Sequence, residues 1–233
     1  MKQLMKIMRN DLSRSLKNGW QHSRTLLTSF MAVFIVSLLG WQWKSSDLGL
    51  ILSVLMLILI CFDLFFFRDP ERVAAVPENG FVAPADGKVV AIEKNAVSPA
   101  NGDVCIKVSI FLSLFDVHVN RVPFEGRVAA IKHNPGHFHA AFKGKASDLN
   151  EHVLVELQTK HGVLFIKQIA GFIARRIVNF ISAESVVQTG ERFGLIKFGS
   201  RVELFLPADV ELYVTAGEHV RAGKSVLGRF SSE

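Results

Sequence analysis

Two long apolar runs near the N-terminus constrain this chain more than any other feature. Residues 25–43 form an uncharged run of 19 residues, and residues 48–67 form a run of 20 residues with one charge, Asp63. Because a helix rises about 1.5 Å per residue, each run is about as long as a hydrocarbon core of roughly 30 Å is thick. Only four residues separate the runs. The sequence therefore predicts a hydrophobic helical hairpin.

Basic residues are concentrated just before the first run. Residues 1–24 carry six lysines and arginines and one aspartate, so most of the net charge of +6 lies there. Basic segments beside membrane spans stay on the cytoplasmic side, and two crossings would return the chain to that side. A basic tail next to apolar sequence fits an anionic lipid surface, and nothing similar supports nucleic-acid binding. We expect a cell-membrane protein with a basic segment, 1–24, an anchor, 25–67, and a cytoplasmic domain, 68–233.

Other interpretations of the apolar runs stay open. A cleavable signal peptide is disfavoured, because the first run starts late and a second run follows at once. A hairpin that dips into one leaflet, or one that packs as a buried core, has the same composition as a spanning hairpin. Near the end of the second run, Asp63 is expected to be solvated at the interface beside Arg68.

The sequence changes character at residues 68–72, where charged residues and a proline follow the apolar run. Beyond this boundary, short β-branched or aromatic runs alternate with turn residues, a pattern typical of a β-rich barrel or sandwich. The predicted strands are residues 88–93, 103–112, 127–132, 153–158, 163–169, 201–206 and 210–214. A short helix is expected at residues 182–188.

A weak internal repeat runs through this β-rich part. Residues 86–93, Asp-Gly-Lys-Val-Val-Ala-Ile-Glu, resemble residues 125–132, Glu-Gly-Arg-Val-Ala-Ala-Ile-Lys. Residues 217–223 follow the Gly-Glu-x-Val-x-Ala-Gly pattern of turns in barrel-sandwich domains. The predicted fold is α+β and β-rich, with a duplicated barrel-sandwich-like catalytic domain after an N-terminal hydrophobic helical hairpin.

The pair Gly199-Ser200 lies between predicted strands and is most simply interpreted as a turn. In a strained turn, however, the Ser200 hydroxyl could attack the Gly199 carbonyl and convert the amide into an ester. Removal of the Ser200 α-proton would then release the Gly199 carboxylate and, after hydrolysis, leave a pyruvoyl group on the new N-terminus. Such a carbonyl can condense with an amine and accept the electrons left when CO2 departs.

This chemistry needs a base, and residues 116–121, Asp-Val-His-Val-Asn-Arg, offer one. Imidazole is suited to proton transfer near neutral pH. If the segment is extended, Asp116, His118 and Asn120 lie on one strand face, although an ordinary surface strand would show the same pattern. Asp86 lies in a Pro/Gly turn, where it either bonds its own backbone or orients a histidine.

Histidines and arginines elsewhere are candidates for substrate binding. His133, His137 and His139 flank an Asn-Pro-Gly segment that prevents helical ligand spacing, and no glutamate follows at the distance of a zinc motif. We expect a loop lining a polar pocket and no metal. Arg175 and Arg176 could clamp a phosphate or carboxylate, but adjacent strand residues point to opposite faces, so at most one should face the site.

Several longer motifs occur in a fixed order between residues 66 and 228. They are residues 66–70 (Phe-Phe-Arg-Asp-Pro), 83–87 (Ala-Pro-Ala-Asp-Gly), 111–113 (Phe-Leu-Ser) with 116–121, 145–151 (Lys-Ala-Ser-Asp-Leu-Asn-Glu), 168–171 (Gln-Ile-Ala-Gly), 174–178 (Ala-Arg-Arg-Ile-Val) and 194–201 (Gly-Leu-Ile-Lys-Phe-Gly-Ser-Arg). Together they resemble the phosphatidylserine decarboxylase family, in its shorter form.

The resemblance implies decarboxylation of bilayer phosphatidylserine to phosphatidylethanolamine and CO2, through a Schiff base with a pyruvoyl cofactor. Ser200 would become that cofactor after self-cleavage at Gly199-Ser200, and the β chain 1–199 and the α chain 200–233 would stay associated. Asp86 and His118 would occupy the acid and base positions. The implied partners are the membrane and its lipid, with a homodimer left open.

The chain departs from the longer branch of the family, which has Leu-Gly-Ser-Thr at the cleavage point and a second histidine three residues after the first. Arg201 and Arg121 stand at these positions here. His118 would then serve both steps, or a histidine of the 133–139 segment would substitute. The family's Asn-Glu-Arg ends here in His152, for which no role is implied.

Three other functions stay open at this point. A non-catalytic membrane-anchored barrel-sandwich adaptor would leave the chain uncut, and a zinc hydrolase would use the histidine segment. The same chemistry could also act on another amine headgroup.

Overall fold

The computed structural model describes residues 23–43, 47–99, 102–138, 149–171, 176–197 and 200–231. The chain divides into two compact units, Met1–Pro70 and Glu71–Glu233.

The described part of the first unit consists of helix α1, Ser23–Trp43, and helix α2, Asp47–Phe66. Both are long and apolar enough to cross a membrane, by length and composition alone. The hydroxyl oxygens of Ser37 and Ser53 lie 2.9 Å apart and join the helices. The predicted hydrophobic hairpin is confirmed as a pair of contacting helices, and its place in a membrane stays a prediction.

Asp63 differs from expectation. Its carboxylate is buried and accepts a hydrogen bond from the Ser23 hydroxyl on the other helix. Arg68 instead donates to the Phe65 carbonyl at 2.8 Å, and its guanidinium lies over the Phe65 ring. The prediction of a solvated Asp63 is therefore wrong, because a serine hydroxyl takes the place of water as its partner.

Short strands dominate the described part of the second unit. They are β1 (Gly80–Val82), β2 (Gly87–Val97), β3 (Val104–Leu112), β4 (Val119–Arg121), β5 (Gly126–Asn134), β6 (His152–Thr159), β7 (Gly162–Ile169), β8 (Ile177–Asn179), β9 (Val186–Val187), β10 (Arg192–Ile196), β11 (Ser200–Leu206), β12 (Glu211–Leu212), β13 (His219–Val220) and β14 (Val226–Arg229).

These strands pair antiparallel in three sheets. The large sheet has the order β13-β2-β3-β11-β7-β6-β5-β9, and the small sheets are β1-β14-β12 and β4-β10-β8. Alternation along β11 shows where the core lies: Val202 and Leu204 join the main apolar cluster, whereas Phe205 belongs to a smaller cluster on the outer face. The predicted β-rich α+β fold is confirmed.

The sequence repeat appears as a duplication within the large sheet. We call β13-β2-β3-β11 the first half and β9-β5-β6-β7 the second half. The register shifts directly after Val89 in β2 and directly after Val128 in β5. A Cβ on Gly87 would lie 2.0 Å from a carbonyl oxygen of β3, and one on Gly126 would lie 2.3 Å from a carbonyl oxygen of β6. Each half therefore begins at a position that only glycine can occupy without a backbone shift.

The seven predicted strands correspond to β2, β3, β5, β6, β7, β11 and β12, with small differences at their ends. The predicted helix at residues 182–188 is wrong. Ser185 closes a turn on the Ser182 carbonyl, and Val186–Val187 then pairs with β5. Local hydrogen bonding of serine competes with helix formation, and the pairing with β5 favours the extended form.

Candidate active site

Ser200 is the first residue of β11 and pairs with Leu112, the last residue of β3. Its side chain is completely buried, and its hydroxyl has no hydrogen-bond partner among the residues that the structure describes. A buried polar group without a partner costs about 1–3 kcal/mol, so such a group calls for an explanation. Gly199, the other residue of the predicted cleavage point, lies outside the described residues.

His118 lies in the short connection between β3 and β4 and is also completely buried. Its Nδ1 is 2.9 Å from the Asp116 carbonyl oxygen. A carbonyl oxygen only accepts, so Nδ1 donates there and Nε2 is the basic nitrogen of the neutral ring. The His118 carbonyl in turn accepts from the amide of Ile196 at 3.3 Å. Leu112 ends β3, pairs with Ser200 and begins the connection to His118. Ile196, which contacts His118, ends β10 and precedes Ser200 by four residues. The connections of His118 and Ser200 therefore start from the same region of the second unit.

Asp116 does not share a strand face with His118. Its carboxylate accepts from the backbone amide of Ser113 at 2.8 Å and from the Ser113 hydroxyl at 2.7 Å, which closes a turn. Strand β4 begins only at Val119. The expectation of a common face is therefore wrong for Asp116, because local bonds to the turn hold its side chain.

Asp86 lies in the turn before β2 and is buried. Its carboxylate forms a two-pronged ion pair with Arg72, in which Nη2 lies 2.8 Å from Oδ2, and accepts from the Ala222 amide at 2.8 Å. Ser200 starts β11, two strands further along the sheet, which corresponds to about 10 Å at a spacing of about 4.8 Å per strand. Asp86 is thus held in an ion pair about two strand spacings from Ser200, and the His118 carbonyl contacts Ile196, the last residue of the strand before Ser200.

Arg176 is exposed, and its carbonyl accepts from the amide of Lys197 at 3.2 Å. This contact places the Arg176 backbone beside the segment that leads into Ser200. Arg175 lies outside the described residues, so the expectation that only one of the two arginines faces the site stays a prediction.

His137 lies at the same end of the sheet and is exposed. Its amide donates to the Leu149 carbonyl at 2.7 Å, and its carbonyl accepts from the Glu151 amide at 3.0 Å. His133 lies 3.1 Å from the Glu151 carboxylate, while His139 is outside the described residues. Among the side chains that the structure describes, no group of three or more His, Cys, Asp or Glu could hold a metal ion.

The two arginines at the divergent positions have contacts of their own. Arg121 is buried and donates to the Gly190 carbonyl at 3.0 Å, which ties β4 to a turn of the second half. Arg201 lies 2.8 Å from the Glu203 carboxylate. Alternation along β11 places the side chains of Arg201 and Glu203 on the outer face, opposite to the face that carries Ser200. The role of His118 as the base for Ser200 stays a prediction, and its carbonyl contacts Ile196, four residues before Ser200.

A buried amide pair is the part of the site that sequence reasoning missed. Gln168 Nε2 donates to Asn120 Oδ1 at 2.7 Å, and both side chains are completely buried. Asn120 follows His118 by two residues, and Gln168 pairs with Val202 of β11. One signal could have identified Gln168, since alternation places it on the same face of β7 as the core residues Leu164 and Ile166.

Comparison with known proteins shows the family of the chain. Residues 59–228 match the family model of phosphatidylserine decarboxylase. A phosphatidylserine decarboxylase proenzyme of Syntrophus aciditrophicus is 44% identical over 205 residues, which cover 88% of this chain and 91% of the relative. Those of Magnetococcus marinus and Prosthecochloris aestuarii are 43% and 39% identical, and the alignments cover 88% and 90% of this chain and 93% and 96% of the relatives. The chain therefore belongs to the phosphatidylserine decarboxylase family and is a decarboxylase.

Proposed function

We propose that this protein is a membrane-anchored proenzyme that cleaves itself between Gly199 and Ser200 and then decarboxylates phosphatidylserine to phosphatidylethanolamine and CO2. The observation that carries the proposal is the completely buried Ser200, whose hydroxyl has no partner among the described residues. Its relatives are named as proenzymes, which agrees with activation by cleavage.

Self-cleavage begins when the Ser200 hydroxyl oxygen bonds to the Gly199 carbonyl carbon. The carbon–nitrogen bond breaks, the nitrogen takes a proton, and an ester replaces the amide. A base then removes the Ser200 α-proton, and the Gly199 carboxylate leaves by β-elimination. Water finally replaces the nitrogen, ammonia departs, and the α chain begins with a pyruvoyl group. We assign the base role to Nε2 of His118, because Nδ1 is already engaged as a donor.

The surroundings of Ser200 suit a pyruvoyl group. Leu112 and Val202 are completely buried beside it, so the position is dry and uncharged on the strand side. When present, the ketone supplies a carbonyl that condenses with a primary amine and accepts the electrons released with CO2. We assign to His118 the proton that takes the place of CO2, because its segment begins at Leu112, the partner of Ser200 in β3.

Asp86 occupies the acid position in this proposal. It acts by fixing the backbone of the first half through its bonds to Arg72 and to the Ala222 amide. The Arg72–Asp86 pair fixes the turn directly before Gly87, and Gly87 packs against β3 where Leu112 pairs with Ser200. Loss of the pair would shift the strand beside Ser200 and slow cleavage even without direct contact between Asp86 and the reacting atoms.

Recognition of the lipid is assigned to the exposed side chains at this end of the sheet. Arg176 and His137 are the described candidates, and Arg175 and His139 are the others in the same segments. A guanidinium suits the phosphate and carboxylate of the headgroup. Because the diacyl substrate stays in the bilayer, the apolar hairpin would keep the enzyme at the membrane, with the second unit on the cytoplasmic face.

The topology supports continued association of the two products. Strand β11 belongs to the α chain and lies between β3 and β7, which both belong to the β chain. Strand β14 of the α chain likewise pairs with β1 of the β chain. Cleavage before Ser200 would leave these ladders in place.

The direct test replaces Ser200 by alanine. Ser200→Ala should give a single uncut chain on a denaturing gel and no release of CO2 from phosphatidylserine vesicles. Ser109→Ala, which removes another buried serine hydroxyl from the adjacent strand β3, should be cut normally. Normal processing of Ser200→Ala would overturn the proposal, whereas an uncut and inactive wild type would favour the adaptor.

A further inference from the structure

The Asn120–Gln168 pair has more hydrogen-bonding capacity than the described fold uses. Each amide makes one bond to the other, and the remaining atoms, Asn120 Nδ2 and Gln168 Oε1, have no partner among the described residues. Amide nitrogen and oxygen are assigned from the bonding network, and exchanging them in both side chains would exchange the free donor and the free acceptor. In either arrangement the pair leaves one free NH2 group and one free oxygen.

The backbone around the pair makes room for it. A Cβ on Gly194 would lie 2.8 Å from Gln168 Nε2, so a larger residue there would displace the amide. Gly194 is also the residue of β10 that pairs with Asn120. Asn120, Gln168 and Gly194 therefore enclose a group of buried polar atoms. The group includes Asn179 Oδ1, which lies 3.2 Å from the same Cβ position and has no partner among the described residues.

The pair also lies beside Ser200. Gln168 is opposite Val202, and Ser200 is two residues before Val202 on the same face of β11. Diagonal neighbours of this kind on adjacent strands are roughly 7–8 Å apart between Cα atoms, within reach of a long side chain. Asn120 brings the other amide from the strand that follows His118. Gln168 and the unpartnered Ser200 hydroxyl thus lie on one buried face, and Asn120 joins them through its bond to Gln168.

Asn150 shows how the NH2 group of another buried amide is satisfied by the backbone. Asn150 is a third buried amide at this end of the sheet, and its Nδ2 donates to the Ala170 carbonyl at 2.7 Å. Its NH2 group is engaged by the backbone, as expected for a structural amide. The free NH2 group of the Asn120–Gln168 pair is a donor that the fold leaves available to reacting atoms.

We propose that the Asn120–Gln168 pair stabilises the negative charge that forms on the carbonyl oxygen attacked by Ser200. This inference rests on the proposed self-cleavage. As the serine oxygen bonds to the carbonyl carbon, its proton passes to His118 and the carbonyl π electrons move to oxygen. The free NH2 group donates to that oxygen. When the carbon–nitrogen bond breaks, the carbonyl re-forms and the nitrogen takes the proton back from His118. A fixed neutral donor in a dry site is an effective form of such stabilisation.

The experiment follows cleavage during cell-free synthesis of the full chain into phosphatidylglycerol nanodiscs, with pulse labelling. Asn120→Leu and Gln168→Met keep the approximate side-chain volume and remove the polar atoms. We expect the cleavage rate to fall about 100-fold or more, as for other losses of an oxyanion donor. The control, Asn150→Leu, should lower the melting temperature while leaving the cleavage rate within about threefold of wild type, since it removes only a structural bond.

A second pair of variants covers the case in which the apolar variants fail to fold. Asn120→Asp and Gln168→Glu keep the shape, and a carboxyl group donates a hydrogen bond only when it is protonated. For the side chain that provides the free donor, the cleavage rate relative to wild type should rise as pH falls. Ionisation of a buried carboxyl group can also slow cleavage through loss of folding. The melting temperature of each acidic variant is therefore measured over the same pH range in the uncut Ser200→Ala background, and it should not follow the change in rate.

Two results would overturn the inference: folded Asn120→Leu and Gln168→Met proteins that cleave at the wild-type rate, or a flat pH ratio for both acidic variants. Either result would leave self-cleavage itself intact, provided that wild type is cut and Ser200→Ala is not. Normal cutting of Ser200→Ala would instead remove the proposed function and this inference together.

Discussion

The two halves of the large sheet follow the same pattern, but only the first half contains Ser200, and the second half contributes Gln168 from β7. In the second half, β6 and β7 are joined by a tight hairpin in which Thr159 pairs with Gly162. The corresponding position of the first half pairs Leu112 with Ser200, and here the chain makes a long excursion between the two strands. Ser200 therefore lies at the position of the first half that corresponds to the β6–β7 turn of the second half.

The halves also differ in charge at their first turn. The backbone bonds match, since the Ala83 carbonyl accepts from Gly223 at 2.9 Å and the Val122 carbonyl accepts from Gly190 at 2.8 Å. Three residues after each of these carbonyls stands an acid. Asp86 is buried against Arg72, whereas its counterpart Glu125 is exposed. The two halves thus share the backbone arrangement of this turn, and among the described residues only the turn of the first half carries a buried ion pair.

The first prediction compares substitution of His118, which is completely buried, with substitution of His161, which is half-buried. The two substitutions should differ strongly in their effect on the cleavage rate. His118→Asn should slow self-cleavage by about 100- to 10,000-fold, the usual range for loss of a general base. His161 lies in the hairpin of the second half, stacks on Phe230 with ring centroids 4.6 Å apart and contacts Asn79 at 3.0 Å. His161→Asn should lower the melting temperature and leave the cleavage rate within about threefold of wild type on a pulse-labelled gel. Equal cleavage rates for both variants would break the comparison.

The next effect concerns the ion pair of the first half. Arg72→Met should destabilise the second unit by about 3–5 kcal/mol, because it leaves the Asp86 carboxylate buried without its cation. Its counterpart in the second half, Glu125→Gln, should change stability by less than about 0.5 kcal/mol, as is usual for an exposed side chain. Chemical unfolding of the uncut Ser200→Ala background measures both values without interference from cleavage. A small effect of Arg72→Met would show that the pair is not a support of the first half.

The two glycines that begin the halves give a smaller and sharper test. Gly87→Ala and Gly126→Ala should each destabilise the fold by about 1–3 kcal/mol, because their Cβ atoms would clash with backbone carbonyls. Gly87 adds a cost of its own, since its φ of 140° is unfavourable for alanine. Only Gly87→Ala should also slow cleavage, because the carbonyl it meets belongs to the residue before Leu112. Equal slowing by both variants would show a general loss of folding.

The smallest effect uses the thiol of Cys105 on the outer face of β3. Burial raises the pKa of this thiol above its usual range, and nearby Lys107 opposes part of the rise. The contribution of the neutral Cys105 thiol to the free energy of unfolding is fully present below the pKa that the thiol has in the unfolded chain. This contribution falls as pH rises above that value, because the thiol ionises in the unfolded chain before it ionises in the folded protein. Cys105 should therefore react slowly with iodoacetamide at pH 8 in the folded protein and rapidly after denaturation. Fast reaction in the folded protein would mean that the first half opens more readily than expected. In this half β3 and β11 are not joined by a tight turn as β6 and β7 are.

Local patterns explain why much of this fold could be predicted from the sequence. The apolar runs and the alternating strands depend on burial of one face or of a whole segment, and both leave a period in the sequence. The repeat was visible at residues 86–93 and 125–132, where a glycine and a bulge recur. Seven strands were not predicted, β1, β4, β8, β9, β10, β13 and β14, and each has only two to five residues, too few to show a clear period.

The parts that could not be predicted depend on contacts between distant residues. Asn120 and Gln168 are 48 residues apart, and neither has a local feature that requires a partner. Asp63 meets Ser23 across the hairpin, which a hydropathy pattern cannot reveal. For Ser200 and His118, the order of the motifs predicts the roles, while the complete burial of both side chains appears only in three dimensions.

Intact-mass spectrometry of the purified wild-type protein reports on both cleavage between Gly199 and Ser200 and the chemical form of the new N-terminus. We expect two polypeptides, residues 1–199 and 200–233, and the second should be lighter by one ammonia than a chain that begins with serine. A single uncut polypeptide, or a second chain that begins with an unmodified Ser200, would contradict this expectation.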